Sequence, residues 1–490
     1  MQRVKRGHMF DLRPAIYVIG LLVVALGCTM VLPMLMDVYD GHEQWWVFGL
    51  CGLLTVIFGG SVALACANKN TGGLTIQQTF ILTSGVWFVL PVFGALPFWI
   101  GATDASLVDG FFEAMSALTT TGSTVFSGLS ELPRGILLWR GLMQWFGGIG
   151  IIVVAMVFLP VLRVGGMHLF RTEGFETMGK ILPQAAQIAR SIWTIYLGLT
   201  IACLAAYSIA GLGPFDALVH AMTTIATGGF ANHDTSFSQF DAWAEYVGVV
   251  FMLAAALPFV RYVQLLNGSA QPLFLDSQIR VFFLCVVVVI FILFLWNWTF
   301  VTTDLEQSFR KSLFNGVSIL TGTGYVSDDY NRWGDFPVML FFIIGLIGGC
   351  AGSTTCSIKV FRFQLLFASI SSQIKRLHSP NGVFIPKYNK RTIPEDVMSS
   401  VMAFFMFFLL SLAVLSVALG MTGLDTITSI SGAATALANV GPGLGSEIGP
   451  IGNFGELNDI AKWLLAMGML VGRLELMAVF VLFTANFWRS

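Results

Sequence analysis

The sequence predicts an all-α polytopic membrane protein in which four similar units surround one pore. Two observations lead to this fold class. Of the 490 residues, 56% are hydrophobic and only 11% are charged, whereas an average soluble chain carries about 25% charged residues. In addition, a short polar segment recurs four times between long apolar stretches. So little charge cannot cover the surface of a soluble enzyme, and 43 Phe and 13 Trp exclude a disordered chain.

Ten stretches are apolar and long enough to cross a bilayer as helices, which takes about 20 residues. They lack the alternation of apolar and polar residues that a transmembrane barrel needs. The last stretch is interrupted by Arg473 and Glu475. The ten expected spans cover residues 14–36, 45–68, 77–103, 141–162, 191–215, 241–266, 281–303, 336–358, 397–424 and 463–488.

The distribution of basic residues predicts the orientation. The basic N-terminal segment is followed by 23 uncharged residues, which favours an uncleaved first helix over a signal peptide. With this end in the cytoplasm, 19 of the 26 Lys and Arg lie on the cytoplasmic side, as the positive-inside rule requires. Both termini are then expected in the cytoplasm. The outer face is acidic, which either raises the local cation concentration or only solvates the loops.

The recurring polar segment defines four repeats. Residues 109–122 and 216–229 share Asp, Ala-Met, Thr and Gly at equal spacing, whereas residues 311–324 lack the Asp and residues 428–441 match more weakly. Each repeat consists of a span, a short helix, a Gly-containing turn and a second span. The expected domains are two extra N-terminal helices over 1–70 and repeats over 71–165, 185–268, 275–378 and 393–490.

The short helices and their turns predict a pore. About twelve helical residues extend roughly 18 Å, which enters a bilayer half-way without crossing it. Non-helical backbone at that depth is tolerated where it is buried or lines a water-filled cavity. A ring of backbone carbonyls can replace the water shell of a cation, and glycine permits the backbone conformations that such a ring needs. Four unrelated re-entrant loops are the alternative.

Several motifs occur together along the chain. The four turns read Thr120-Thr-Gly-Ser, Ala226-Thr-Gly-Gly-Phe, Thr321-Gly-Thr-Gly-Tyr and Ala438-Asn-Val-Gly-Pro. Further motifs read Gln144-Trp-Phe-Gly-Gly-Ile-Gly, Gly348-Gly-Cys-Ala-Gly-Ser-Thr-Thr and Gly472-Arg-Leu-Glu. Over nearly its whole length the chain thus resembles the Trk/Ktr/HKT superfamily of potassium transporters, and within it the bacterial Trk-type membrane subunit (TrkH-like).

This resemblance implies four M1–P–M2 units after two extra helices, and potassium uptake across the bacterial inner membrane through a gated, channel-like pore. It implies K⁺ as the transported ion and no cofactor in this chain. An ion-coupled (H⁺ or Na⁺) potassium symporter, or a less selective K⁺/Na⁺ transporter of the superfamily, is the alternative. The implied K⁺-binding filter residues, which act mainly through backbone carbonyls, are Thr120, Thr121, Gly122, Ala226, Thr227, Gly228, Gly229, Thr321, Gly322, Thr323, Gly324, Ala438, Asn439, Val440 and Gly441.

The eighth expected span contains a run of small and polar residues, Gly-Gly-Cys-Ala-Gly-Ser-Thr-Thr-Cys-Ser. Such a run is a poor lipid-facing helix, so it indicates either a broken helix beside a water-filled path or a close helix–helix contact. The resemblance implies an intramembrane loop that blocks the pore beneath the filter. The expected gate residues are Gly348, Gly349, Cys350, Ala351, Gly352, Ser353, Thr354, Thr355 and Arg473.

Arg473 lies well inside the last span. A central Arg costs at least about 2.5–3.5 kcal/mol on insertion scales, so its side chain is expected to face the bundle interior. The resemblance implies that it projects toward the pore near the gating loop; capping of backbone carbonyls away from the pore is the alternative. Glu475 cannot share a helix face with Arg473, so it must pair with another element.

The remaining features concern partners and competing functions. The chain lacks a nucleotide-binding motif, and its basic cytoplasmic loops, 163–190 and 359–391, either dock a soluble subunit or only satisfy the positive-inside rule. The resemblance implies a homodimer that binds a cytosolic, TrkA-like ring with NAD and ATP as ligands, and no nucleic acid. A secondary transporter with inverted repeats is disfavoured because the repeats share one orientation. A membrane enzyme is disfavoured because Arg473 and Glu475 are the only charges expected in the interior.

Overall fold

The computed structural model describes residues 11–67, 74–155, 185–389 and 391–489. Most of the predicted basic loop 163–190 lies outside these residues, as do residues 1–10 and 68–70 of the expected N-terminal segment and residues 71–73 and 156–165 of the expected first repeat. The domain bounds therefore stay predictions. The regular secondary structure of the described residues is helical, apart from one small hairpin of β1 (Lys387–Tyr388) and β2 (Arg391–Thr392).

The first helices form a hairpin that packs through glycines. Helix α1 (Arg13–Thr29) continues into α2 (Val31–Asp40) and lies along α3 (Trp45–Cys66). The two backbones approach so closely that a Cβ on Gly20 would lie 2.9 Å from the Gly59 oxygen. Small residues at such a contact are typical of helix pairs in membranes.

Four units follow, each with an outer helix, a short pore helix and an inner helix. Unit 1 contains α4 (Ile76–Gly94), α5 (Leu96–Ile100), α6 (Leu107–Leu118) and α7 (Arg134–Val153). Unit 2 contains α8 (Ala185–Ile209), α9 (Pro214–Ile225), α10 (Ala242–Ala255) and α11 (Phe259–Leu266), and α12 (Gln271–Leu275) follows it. Unit 3 contains α13 (Ser277–Phe300), α14 (Leu305–Leu320), α15 (Asp335–Gly345) and α16 (Val360–His378). Unit 4 contains α17 (Glu395–Met421), α18 (Thr426–Ala438), α19 (Asp459–Arg473), α20 (Met477–Phe480) and α21 (Ala485–Arg489).

The pore helices α6, α9, α14 and α18 correspond to the recurring polar segments. A capping side chain or a proline fixes where each of them begins. Ser106 caps α6 by accepting from the Asp109 nitrogen, and Asp304 and Asp425 cap α14 and α18. Helix α9 instead begins at Pro214. Side-chain acceptors and prolines at a first turn fix where a helix begins. Each pore helix then ends just before its predicted filter turn.

The described residues of all ten predicted spans contain helix, but two spans bend sharply and one helix ends early. Seven helices in the described residues are long and apolar enough to cross a membrane. The span at 241–266 is α10 and α11 with an 88° bend between them, and the last span bends by 102° after Arg473. The span at 336–358 is wrong as a helix, because α15 ends at Gly345 and a non-helical loop follows.

The units close into a ring through one repeated contact. Each inner helix packs against the pore helix of the next unit: α7 on α9, α10 on α14, α15 on α18, and α19 back on α6. We call these contacts seams 1/2, 2/3, 3/4 and 4/1. Seam 3/4 is the least extensive, because α15 has only 11 residues. The fourth seam returns to unit 1, so the predicted pseudo-four-fold arrangement is confirmed.

Candidate ion pathway and gate

The four glycines predicted to form a filter lie side by side around one axis. A Cβ on Gly122 would collide with the carbonyl oxygen of Gly228, and one on Gly229 with that of Thr323. A Cβ on the third glycine would lie 2.8 Å from the Gly441 nitrogen, and one on Gly441 would lie 3.1 Å from the Gly122 oxygen. Every loop thus touches the next, and the last touches the first. The four turns form a closed ring of backbone.

The four loops share a left-handed backbone at matching positions. The residues two places before the filter glycines have positive φ: 51° at Thr120, 48° at Thr227, 70° at Gly322 and 52° at Asn439. The glycines of the first three loops are left-handed as well, with φ of 87°, 78° and 83°. This alternation directs successive carbonyls to one side, as a carbonyl ring requires. Non-glycine residues in this conformation carry about 1–3 kcal/mol of strain each, which the surrounding contacts must offset.

The fourth loop departs from this pattern, as its weak sequence match predicts. Gly441 does not have the positive φ of the other three glycines. A Cβ on Gly324 of the third loop would meet the amide nitrogen of Gly441. A Cβ on Gly122 or Gly229 would instead meet a carbonyl oxygen of the following loop. The carbonyl of Gly441 accepts a hydrogen bond from the Ser123 hydroxyl at 2.8 Å. The ring is therefore four-fold in position but not in the chemistry of its lining.

Outside the ring lies a polar cavity of about 90 Å³, lined by the four filter glycines and by residues that include His233 and Asp234. Asp216, in the first turn of α9, accepts from Asn232 Nδ2 at 2.8 Å and lies 3.3 Å from His233 Nε2. Burial alone would raise the pKa of Asp216, but the hydrogen bonds from His233 and Asn232 outweigh it and lower that pKa. Asp216 therefore stays a carboxylate beside His233, which lines the cavity, and this negative charge favours cations.

A loop of unit 3 lies directly beneath the ring. It leaves α15 at Gly345, contains all eight loop residues predicted for the gate, and reaches α16 at Val360. Ser357 contacts the fourth filter loop: its nitrogen and its hydroxyl donate to the Ala438 oxygen at 2.9 and 3.1 Å. Cys356 contacts the first loop, with its Sγ 3.5 Å from Thr120 Oγ1. Of the two sequence alternatives, the broken helix beneath the filter is the one observed.

Backbone groups at the break between α10 and α11, in the inner helix of unit 2, bond the other side of this loop. The Cys350 nitrogen donates to the Ala256 oxygen at 3.1 Å, and the Phe259 nitrogen donates to the Gly352 oxygen at 2.9 Å. Both partners flank the 88° bend between α10 and α11. The bend frees these backbone groups from helical bonding, so the loop and the bend satisfy each other's hydrogen bonds.

Arg473 lies at the end of α19 with its side chain buried, 3% exposed. Its guanidinium donates to Cys356 Sγ, lies 3.5 Å from the Gly147 oxygen and stacks 5.6 Å from the Trp87 ring. It forms no ion pair among the described residues. Arg473 therefore contacts the gating loop, as expected, and also reaches a backbone carbonyl, as the alternative proposed.

Glu475 pairs with another element, as the sequence predicts. It accepts from Arg362 of α16, so this ion pair joins units 3 and 4 at the level of the gate. Glu475 and Leu476 are both left-handed, with φ of 57° and 52°. Two adjacent residues in this conformation explain the sharp bend after α19.

The chain matches the protein-family model described as TrkH, cation transport protein, over residues 47–490. It belongs to the TrkH family. It is 42% identical over 479 residues to the Trk system potassium uptake protein TrkI of Halomonas elongata, covering 97% of each chain. It is 37% identical over 484 residues to TrkH of Escherichia coli K12, covering 96% of this chain and 98% of that one.

The fold agrees with a solved member of the TrkH family. The crystal structure of the potassium transporter TrkH from Vibrio parahaemolyticus matches with a TM-score of 0.90 and 36% identity, covering 98% of this chain and 100% of that one. This confirms the predicted fold of four units after two extra helices. The chain is thus a multi-pass member of a family of cation transport proteins.

Sequence reasoning missed several residues of this TrkH-family site. Cys356 and Ser357 make the contacts between gating loop and filter, yet the predicted gate stops at Thr355. The signal was available, since both belong to the same run of small residues. The expectation that Arg473 and Glu475 are the only interior charges is wrong. Other charged side chains are also buried, among them Glu113, Arg140, Glu245 and Arg362.

Arg140 lies one residue before the expected span 141–162, but it is 1% exposed within α7. Its Nε donates to Glu113 Oε1 at 2.7 Å, and its Nη1 donates to the Ala231 oxygen at 3.0 Å across seam 1/2. Glu113 also accepts from the Val125 nitrogen at 2.9 Å, just beyond the first filter loop. Burial of two charges is tolerated because each has a charged partner and additional hydrogen bonds.

Ion pairs cross two seams at the pore-helix level. At seam 2/3, Glu245 of α10 accepts from Lys311 at 2.8 Å and from Arg310 at 2.6 Å, both on α14. At seam 4/1, Lys462 of α19 donates to Asp109 of α6 at 2.6 Å. Burial alone would raise the pKa of Asp109, but the hydrogen bond and charge of Lys462, with Ser106, outweigh it and lower that pKa.

Proposed function

We propose that this TrkH-family chain takes up potassium through one gated, channel-like pore along the axis of the four units. The observation that carries the proposal is the closed ring of four backbone turns, left-handed at matching positions. Such a ring can exchange its carbonyl oxygens for the water around a desolvated cation without a charged side chain. The proposed ion ligands are the fifteen filter residues named from the sequence. The relatives from Halomonas elongata and Escherichia coli are named potassium uptake proteins, which supports K⁺ as the cargo.

In this proposal the gate is the loop from Gly348 to Ser357 together with Arg473. The loop lies under the ring and bonds to two of its turns, which supports an occluding role. Arg473 adds a positive charge that no carboxylate among the described residues neutralises, and this charge repels an ion leaving the filter. Opening requires the loop to release Ala438 and Thr120 and to carry Cys356 away from Arg473.

The proposed setting is the inner membrane of a bacterium, with both termini in the cytoplasm. The last turn of α16 contains Lys375, Arg376 and His378, and basic residues at this level support a cytoplasmic position. We propose a homodimer whose cytoplasmic side binds a TrkA-like ring with NAD and ATP as ligands. The relatives are named components of a Trk system, which supports a partner of this kind.

The test is rubidium uptake into liposomes that contain only the purified chain, in competition with K⁺ or Na⁺ and without an imposed gradient. We expect uptake that K⁺ suppresses far better than Na⁺. Equal suppression by both ions contradicts a potassium filter. Uptake that appears only with a proton or sodium gradient replaces the passive pore with a coupled symporter, and uptake that appears only with the cytosolic partner assigns opening to that partner.

A matched pair of glycine variants ties the flux to the ring. Gly122→Ser places a Cβ against the Gly228 oxygen at a backbone φ of 87°, so we expect sodium to compete much better in this variant. Gly198→Ser is the control, because a Cβ on this residue of α8 meets no atom within 4 Å. Wild-type ion preference in a folded Gly122→Ser variant contradicts the assignment of the ring as the filter.

A further inference from the structure

We propose that Gln144 is a positioning residue for ion selectivity, because its side chain holds the backbone of the second filter loop in place. This inference rests on the proposed function of the ring. Gln144 belongs to α7 of unit 1, whereas the loop that it holds belongs to unit 2. Nothing in its position brings it to the ion, so its effect must pass through the backbone of that loop.

The Gln144 amide binds the backbone on both sides of a filter glycine. Its Nε2 donates to the Gly228 oxygen at 2.6 Å, and its Oε1 accepts from the Phe230 nitrogen at 3.1 Å. Gly229 lies between these two bonds. The side chain is fully buried, and a Cβ on Gly228 would lie 2.9 Å from its Nε2. The amide therefore fixes the orientation of the peptides that flank Gly229.

Only an amide-like group suits this position. The Gly228 carbonyl needs a donor and the Phe230 amide needs an acceptor, and a Gln side chain supplies both. An ionised Glu supplies two acceptors and no donor, and a Leu supplies neither. Because the site is buried, a lost bond leaves a polar backbone group without a partner, and the loop must move to regain one.

The other three filter loops are held by their own pore helices. In loop 1, Glu113 of α6 accepts from the Val125 nitrogen. In loop 3, Ser318 of α14 donates to the Tyr325 oxygen at 2.7 Å. In loop 4, Ser431 of α18 accepts from the Leu444 nitrogen at 3.1 Å. In the described residues of α9, no side chain bonds the backbone of residues 228–230. Gln144 of α7 holds these residues, and Arg140 of the same helix donates to the next carbonyl, that of Ala231.

Selectivity follows from the two bonds of Gln144. Whether a carbonyl ring prefers K⁺ over Na⁺ depends on its size and on how freely its dipoles close on a smaller ion. A loop without its two fixed bonds can close further around Na⁺. The loss of two buried neutral hydrogen bonds corresponds to about a tenfold fall in the K⁺/Na⁺ preference.

The test compares Gln144→Glu and Gln144→Leu with wild type, by sodium competition against rubidium uptake in liposomes at about pH 8 and about pH 5. We expect both variants to lose about tenfold of the K⁺/Na⁺ preference at the higher pH. Burial raises the pKa of the Gln144→Glu carboxyl above its ordinary value of about 4.3, so at the lower pH it is protonated, donates to Gly228 and accepts from Phe230. Its preference therefore recovers on acidification, whereas that of Gln144→Leu stays low.

Other charged groups near this site must not produce the same pH profile. They are Arg140 on α7 with its partner Glu113 on α6, Arg473 from α19, and His220 and Asp216 on α9. All of them are unchanged in Gln144→Leu and in wild type. A recovery that is confined to Gln144→Glu therefore belongs to the new carboxyl.

Gln78→Leu is the control for a merely structural effect. Gln78 is also buried, and its side chain accepts from the Thr75 nitrogen and donates to the Asp11 oxygen, far from the filter in sequence. We expect Gln78→Leu to lower thermal stability without a change in ion preference. Folded Gln144→Glu with wild-type preference at both pH values overturns the inference. Wild-type protein without any K⁺ preference overturns the proposed function instead.

Discussion

Seam 3/4 differs from the other three seams in where its charges lie. At the pore-helix level, ion pairs centred on Glu245 and Lys462 cross seams 2/3 and 4/1. At seam 1/2 the charged Arg140, which pairs with Glu113 inside unit 1, donates to the Ala231 oxygen of unit 2. No ion pair among the described residues joins α15 to α18. At that level seam 3/4 contains one neutral bond, from Asn331 Nδ2 to the Gly445 oxygen at 3.0 Å, and a small apolar cleft of about 30 Å³.

The ion pair between units 3 and 4 lies at the level of the gate instead. Arg362 of α16 binds Glu475 just after α19, and Arg362 also stacks 3.9 Å from the Phe404 ring. Close to it, Ser357 bonds the Ala438 oxygen and Cys356 accepts from Arg473. In the described residues, charged side chains therefore cross three seams at the pore-helix level, whereas at seam 3/4 they cross only at the level of the loop beneath the ring. We infer that the closed pore opens by releasing seam 3/4 while the other three seams keep the ring intact.

The largest expected effect is the loss of the buried Arg140, which pairs with Glu113 of its own unit and bonds the Ala231 oxygen across seam 1/2. Arg140→Met leaves Glu113 buried without its charged partner, which typically costs about 3–5 kcal/mol. We expect little folded protein by size-exclusion chromatography in detergent. Arg134→Met is the control, because Arg134 is 43% exposed and its pair with Asp40 lies at the surface, where such pairs contribute at most about 1 kcal/mol. Equal yields of the two variants contradict this role of Arg140.

Removing Arg473 acts on the gate and leaves the filter seams unchanged. Arg473→Ala removes the charge beneath the filter and the bond to Cys356. A charge-assisted hydrogen bond contributes about 1.5–3 kcal/mol, so basal rubidium flux per folded molecule rises at least about tenfold. Arg473→Lys keeps the charge and stays closer to wild type. Unchanged or lost flux in well-folded Arg473→Ala contradicts the role of Arg473 in closing the pore.

The cysteine of the gate has a smaller effect. Cys356→Ala removes the thiol between Arg473 and Thr120, and a weak hydrogen bond of about 1 kcal/mol corresponds to a several-fold rise in basal flux. Cys350→Ala is the matched control, since Cys350 is buried in the same loop but contacts neither partner through a side-chain hydrogen bond in the described residues. If both variants leak equally, the loop closes the pore without help from Cys356.

Acid titration of seam 4/1 gives the smallest effect. The pKa of Asp109 is lower in the folded protein than in the unfolded chain, where it is about 3.9. The contribution of Asp109 to stability is therefore complete above the unfolded pKa, and it is lost as pH falls through the lower folded pKa. Lys462→Met removes this contribution. We expect wild type to melt above Lys462→Met at neutral pH, with the difference shrinking only below about pH 4. A difference in melting temperature that is constant down to acid pH contradicts the ion pair.

The ring of four backbone turns was predictable because its local chemistry is repeated in the sequence. Gly122, Gly229 and Gly324 occupy left-handed positions that favour glycine, and the same spacing recurs in each unit. The gating loop was predictable for a related reason, since a run of small and polar residues cannot continue a lipid-facing helix. Both features depend on residues close to each other along the chain.

The partners of buried charges were not predictable in the same way. The pairing of Arg140 with Glu113 was not predictable, because the two residues lie 27 positions apart and their contact depends on how α6 and α7 pack. The bend after α10 had a local signal, Pro258, but the bend after α19 occurs at Leu474–Leu476, where neither Gly nor Pro is present. Those features arise from tertiary contacts.

The most direct test of the comparison is a charge-swap cycle on two ion pairs, with basal rubidium flux per folded molecule as the measurement. At the gate, Arg362→Glu and Glu475→Arg are each expected to raise the flux, and the double variant to lower it again toward wild type. At seam 4/1, Asp109→Lys and Lys462→Asp are expected to lower thermal stability without raising the flux. Two results would contradict the inference that seam 3/4 is the seam that opens. One is a double variant at the gate whose flux does not fall back toward wild type. The other is a pair at seam 4/1 whose variants show the same coupling in flux.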